Sequence, residues 1–126
     1  MNQTASGRIV AIDNDTLREL LAAGVPLIDV RRSEEWRATG IVPGSRLLTF
    51  FGPDGECAPA AWLKRLAAMV PAGSPLALIC RSGHRSGLIA PLLLEAGMAP
   101  TVYDVREGIL GWLGAGLPVE PAGPKA

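Results

Sequence analysis

The sequence predicts an α/β domain. Two observations carry that expectation. Short β-type runs alternate with helical runs along the chain, and the run at residues 76–79 is apolar throughout, as for a strand in the middle of a parallel sheet. The chain has 126 residues, 48% of them hydrophobic, which suits one domain with a sizeable core. That domain is expected over 1–126, with its core at about 7–119 and a loose tail at 120–126.

Each element follows from local chemistry. Residues 7–12 read as a first strand. Asp13, Asn14 and Asp15 are cap candidates for a helix through Leu17, Leu20 and Leu21 that stops at Gly24. Residues 26–30 form a second, buried strand. Ser33 is expected to cap a short helix at 34–37, closed by Gly40, with Glu34 and Glu35 in its first turn where the helix dipole favours acids. Pro43-Gly44 is a turn, residues 46–50 a third strand and 51–55 a loop. Residues 58–70 place Trp62, Leu63, Leu66 and Met69 at helical spacing. After the strand at 76–79 and a loop at 80–85, Ser86 is expected to cap a helix running to Gly97, with Pro91 predicting a kink or a later start. Residues 101–105 form a fifth strand, followed by a short helix near 109–113. The Pro-, Gly- and Ala-rich segment from Pro118 is expected to fray.

Composition narrows the function. The formal net charge is zero, so there is no general electrostatic pull toward nucleic acid or an anionic membrane. The first seven residues lack the layout of a signal peptide, and no apolar run approaches the roughly 20 residues of a membrane span. These features predict a soluble cytoplasmic protein. Two cysteines, Cys57 and Cys80, and a single histidine, His84, fall short of a structural zinc set, so no metal and no cofactor are expected.

The informative segment is Cys80-Arg81-Ser82-Gly83-His84-Arg85-Ser86-Gly87, between an apolar strand and a helix. Ligands of open α/β sheets bind at the carboxyl ends of strands. A cysteine there, before a tight loop and a helix start, sits where backbone N–H groups converge into an anion-binding concavity. The same field favours thiolate over thiol. Gly83 supplies conformational freedom, and the two arginines add fixed positive charge. Such a site suits sulfur transfer: the thiolate takes the outer sulfur of an anionic donor, the cradle stabilises the terminal sulfur anion, and a second nucleophile removes it. The reading requires a thiol that faces solvent at the floor of a ring of main-chain donors.

The segment resembles the active-site loop of single-domain rhodaneses, the thiosulfate sulfurtransferase family. Three further stretches resemble that family in order: Leu27-Ile28-Asp29-Val30-Arg31 continued by Glu35-Trp36; Gly40-Ile41-Val42-Pro43-Gly44-Ser45; and Glu107-Gly108-Ile109-Leu110-Gly111-Trp112. The resemblance covers about residues 26–119. It implies a central, mostly parallel five-stranded sheet with helices on both faces, and Cys80 as the residue that forms a persulfide. It implies a small anionic donor such as thiosulfate or a persulfide, including a protein persulfide, and cyanide or a thiol as acceptor. Two positions depart from the family pattern. Ile41 stands where a histidine is usual, and Glu107 where the first glycine of the closing motif is usual. Both predict altered local packing.

Around Cys80, the residues expected to bind substrate are Arg81, Ser82, Gly83, His84, Arg85 and Ser86. Arg81 is read as a rim residue and His84 as an exposed residue that tunes the rim. Arg85 has two open roles, on the rim or paired behind the loop with Asp29 or Glu35. Ser86 can hydrogen-bond the anion or cap the helix. Arg31, Arg32 and Arg106 follow neighbouring strands and would add to a cationic mouth unless Asp29, Glu34, Asp104 and Glu107 neutralise them, the preferred reading for Arg31. Cys57 is read as incidental. Two rival functions stand beside sulfur transfer. A non-catalytic interaction module is one. A cysteine-dependent phosphatase or arsenate reductase is the other, disfavoured because the arginine falls at Cys-x4-Arg, one residue short of the Cys-x5-Arg such sites use.

Overall fold

The computed structural model describes residues 7–122. Ten elements alternate in chain order: β1 Arg8–Ile12, α1 Asn14–Ala22, β2 Leu27–Asp29, α2 Ser33–Thr39, β3 Arg46–Leu47, α3 Pro59–Ala67, β4 Leu76–Ile79, α4 His84–Glu95, β5 Thr101–Val105 and α5 Gly108–Gly114. The strands form one sheet in the order β1-β5-β4-β2-β3, parallel at every pairing. The α/β architecture expected from the alternation is the one observed.

The sheet has a helical layer on each face, and β4 at its centre shows how. Its side chains alternate, as those of any strand must. Leu76 and Leu78 enter a core with Trp62 and Leu66 of α3 and Ile89 and Leu93 of α4, and Cys80 follows them onto that face. Ala77 and Ile79 enter the opposite core with Leu17 of α1 and Ile109 and Trp112 of α5. Every residue of β4 is buried. An unbroken apolar run is the pattern a strand covered on both faces needs.

The elements differ from expectation where a local bond overrides a propensity. Asp13 does cap α1, accepting from the Thr16 N–H at 2.9 Å. Ser33 does not cap α2. Arg32 holds the cap position, and its N–H is taken by the Glu35 carboxylate at 3.1 Å, so Ser33 becomes the first helical residue. The third strand is two residues rather than five. Its partner β2 ends at Asp29, and beyond it Leu48 and Phe50 donate singly to the Asp29 and Val30 carbonyls. α3 stops at Ala67, where Ala68 and Met69 tighten to bonds with Arg65 and Leu66 three residues back. α4 starts three residues earlier than predicted, at His84 with Gly83 as its cap, and runs through Pro91. Pro91 lacks the N–H that Gly87 would have received, and the helix continues past it.

The segment from Pro118 does not fray in its described part. Trp112 Nε1 donates to the Pro118 carbonyl at 2.8 Å, and Ile41 and Glu120 exchange two backbone bonds of 2.9 Å as an antiparallel bridge. The expected loose tail at 120–126 is thus fastened at its first residue, and residues 123–126 lie outside the described part. Ile41, at the position that departs from the family pattern, is buried. Among the described residues, no helix is long and apolar enough to cross a membrane, and no cluster of His, Cys, Asp or Glu could hold a metal ion.

Candidate active site

Cys80 follows β4 directly, and residues 81–83 turn tightly into α4. The turn depends on two glycines. Gly83 has φ +99°, and a Cβ there would collide with the Arg106 carbonyl oxygen. Gly108 has φ +62°, and a Cβ there would collide with the Cys80 and Arg81 carbonyls. Both conditions reserve the positions for glycine. The close approach at Gly108 lets Ile109 and Leu110 donate to the Cys80 and Arg81 carbonyls at 2.9 and 3.1 Å. The start of α5 thus braces the loop from behind. Glu107, the departure from the closing motif, has φ −102°, a conformation open to any residue.

The front of the loop faces the sulfur. The Gly83 N–H donates to Cys80 Sγ at 3.1 Å and the Ser86 N–H at 3.4 Å. These are the N-cap and third-residue amides of a twelve-residue helix, donors with no partner inside the helix itself. Their field and that of the helix dipole favour negative charge on the sulfur. The Ser86 hydroxyl lies 3.5 Å from Sγ. It does not cap the helix. Its shortest bond, 2.5 Å, goes to Asp104 Oδ1 on β5, with the Gly83 carbonyl at 3.3 Å.

Two features depart from the sequence reading. Cys80 is 1% exposed, so the thiol does not lie open to solvent. The loop that brings the amides to the sulfur also closes over it, with Arg81, Ser82 and His84 as an exposed lip. Asp104 neutralises no arginine among the ion pairs of the described residues. It serves the Ser86 hydroxyl instead. No spacing rule links position 104 to position 86. The contact exists because Ser86 sits one turn into α4 and β5 runs beneath it.

The arginines separate. Arg31 is 1% exposed and its guanidinium closes on Asp29, which is fully buried, with Nη2 to Oδ2 at 2.8 Å. It also donates to Thr39 Oγ1 at 2.9 Å and the Gly40 carbonyl at 3.1 Å, which ties the exit of α2 to β2. Arg32 pairs with Glu34 at the surface. Arg85 forms a two-pronged bridge with Glu35 at 2.8 and 2.7 Å, so its guanidinium holds α2 against α4 behind the loop. Arg81 and Arg106 are exposed, Arg81 on the lip.

The Arg85 hydrogen bonds hold the Glu35 carboxyl down at about 2, against an ordinary 4.5, and Glu35 raises Arg85 in return. A carboxyl lowered by folding stabilises the fold above its unfolded value and loses that contribution as pH falls toward its folded one. Unfolding free energy is therefore expected to drop between pH 4.5 and about 2. Glu35→Gln should flatten that part of the profile in urea titrations at each pH, and an unchanged slope would remove the pair from the account.

Comparison with known proteins agrees with this architecture. The family model for the rhodanese-like domain matches residues 13–115. "Rhodanese-like domain-containing protein 17" of Arabidopsis thaliana is 26% identical over 117 residues, covering 90% of this chain and 74% of its own. "Thiosulfate sulfurtransferase 18" of the same plant is 26% identical over 123 residues, covering 94% and 88%. The crystal structure of Rv0390 from M. tuberculosis superimposes with a TM-score of 0.73 at 26% identity, over 93% of this chain and 99% of that one. With most of its length matched, its parallel five-stranded sheet and its cysteine loop at the end of the central strand, the chain belongs to the rhodanese-like domain family.

Proposed function

We propose that the chain is a sulfurtransferase that moves a sulfane sulfur from thiosulfate or a persulfide to cyanide or a thiol, with Cys80 as carrier. One observation carries the reading: two main-chain amides from the start of α4 converge on Cys80 Sγ. The Cys80 thiolate attacks the outer sulfur of thiosulfate. The donor's S–S bond breaks, sulfite leaves with the electron pair, and Cys80 holds a persulfide anion. The acceptor then attacks the terminal sulfur and the Cys80 thiolate returns. Each half-reaction exchanges one anion for another at the same place, so a fixed set of donors serves both. The two amides already point at the sulfur, and because Cys80 is 1% exposed a donor reaches it only when the lip at Arg81, Ser82 and His84 moves aside. Arg81, Ser82 and His84 on the lip are the side chains a donor meets first, and Arg81 is suited to an anionic one. The chemistry draws on the protein's own groups alone, and a cytoplasmic setting would keep the thiol reduced.

A second reading, a non-catalytic interaction module, is favoured by the burial of Cys80. Mass spectrometry separates the two. After treatment with thiosulfate or a low-molecular-weight persulfide, the intact chain is expected to gain the mass of one sulfur atom, and peptide mapping is expected to locate it on Cys80. A chain that takes up no sulfur from any donor, or takes it up only on the exposed Cys57, fits the module.

A further inference from the structure

The Ser86 hydroxyl has one proton and three acceptors around it: Asp104 Oδ1 at 2.5 Å, the Gly83 carbonyl at 3.3 Å and Cys80 Sγ at 3.5 Å. An ionised carboxylate at the shortest distance takes that proton. Cys80 Sγ then faces the hydroxyl's lone pairs and keeps only the two amides. When Asp104 carries a proton the arrangement reverses. Its own O–H is donated to Ser86 Oγ, and the Ser86 proton becomes available to the sulfur. We infer that Asp104 is a positioning residue for Cys80: by holding or releasing the Ser86 hydroxyl proton, it sets whether an anionic sulfur at position 80 is stabilised by two donors or by three. The inference builds on the reading of Cys80 as a sulfur carrier, and it assigns a role to a residue outside the loop.

The surroundings make Asp104 effective in this role. Its register partners are Ala11 on β1 and Leu78 on β4. The titratable and charged groups on the elements packed about it are Cys80 at the end of β4, His84, Arg85 and Glu95 on α4, Arg8 on β1, and Tyr103 and the adjacent Arg106 on and after β5. None pairs with it among the ion pairs of the described residues, and Arg85 is engaged by Glu35. Burial pushes the Asp104 carboxyl above its usual range, while the Ser86 hydrogen bond pulls it down.

The test reads the sulfur directly. In a Cys57→Ser background Cys80 is the only thiol, and its thiolate is followed by ultraviolet absorbance against pH, which needs no reagent to reach a buried atom. Asp104→Asn keeps the shape, removes the charge and can donate to Ser86 Oγ. It is expected to move the midpoint of thiolate formation down by about one pH unit, a tenfold gain in thiolate at fixed pH below the midpoint. In a Ser86→Ala background the same replacement is expected to move it by less than half as much. Asp104→Ala, which removes the acceptor altogether, should act in the same direction and serves where the amide variant does not fold. An unmoved midpoint, or a shift just as large without the Ser86 hydroxyl, overturns the role. A chain that takes sulfur from no donor yet shows the Ser86-dependent shift supports the positioning of Cys80 and counts only against transfer. A chain that takes up sulfur without the shift leaves transfer standing and removes Asp104 from it.

Discussion

Cys80→Ser is expected to lose thiosulfate-dependent thiocyanate formation by more than about a thousandfold, with little change in melting temperature. The two halves of the prediction have separate causes. A serine hydroxyl is not ionised near neutral pH and cannot hold a sulfur atom through an S–S bond, so both half-reactions fail together. The fold should tolerate it because serine is smaller than cysteine and its oxygen can accept from the same Gly83 and Ser86 amides. Cys57 provides the control. It is exposed in the segment between β3 and α3, and the hydrogen bonds to Cys80 Sγ come from Gly83 and Ser86 instead, so Cys57→Ser should retain wild-type rates. Thiocyanate production by Cys80→Ser, or its loss in Cys57→Ser, would place the sulfur carrier elsewhere.

Arg31→Met is expected to lower unfolding free energy by about 3–5 kcal/mol. Methionine roughly fills the volume, so the cost is electrostatic: Asp29 stays fully buried with its counter-ion gone. The guanidinium's bonds to Thr39 Oγ1 and the Gly40 carbonyl also disappear, which loosens α2 and with it the Glu35 that holds Arg85. A double replacement, Asp29→Leu with Arg31→Met, should recover much of the loss, since an apolar pair in place of a buried ion pair is often neutral or stabilising. Urea unfolding measures both. A single-variant loss under about 1 kcal/mol would put the pair in the class of surface bridges.

The legible parts of the sequence are those where one residue's type decides its place. The apolar run at 76–79 could only be a strand covered on both faces, and Asp13 could cap because Thr16 lies three residues on. The loop at 80–85 was legible as an anion cradle because a strand end, a glycine and a helix start occur together, and the cradle's amides do reach the sulfur. Three things were hidden because they depend on tertiary packing. Ser86 reads as a cap from its type, yet the cap lies three residues earlier at Gly83, which left the hydroxyl to find Asp104 on another strand. The burial of Cys80 depends on how closely the loop folds over it, and that distance has no sequence signature. The bridge between Ile41 and Glu120 pairs residues nearly eighty apart, where composition alone suggested a loose end. For Arg85 the sequence offered two roles, and the geometry places its guanidinium on Glu35.

The alternation of side chains along β4 has a consequence for how such a chain can vary. Leu76, Leu78 and Cys80 share one face and Ala77 and Ile79 the other, so the chemistry is tied to the parity of a residue count. Insertion or deletion of a single residue within that strand would turn the thiol toward α1 and α5, where neither of the α4 amides points. Lengthening the loops that join the helices leaves parity untouched. Changes of length should therefore be tolerated in those connections and excluded from the strand that ends in the thiol.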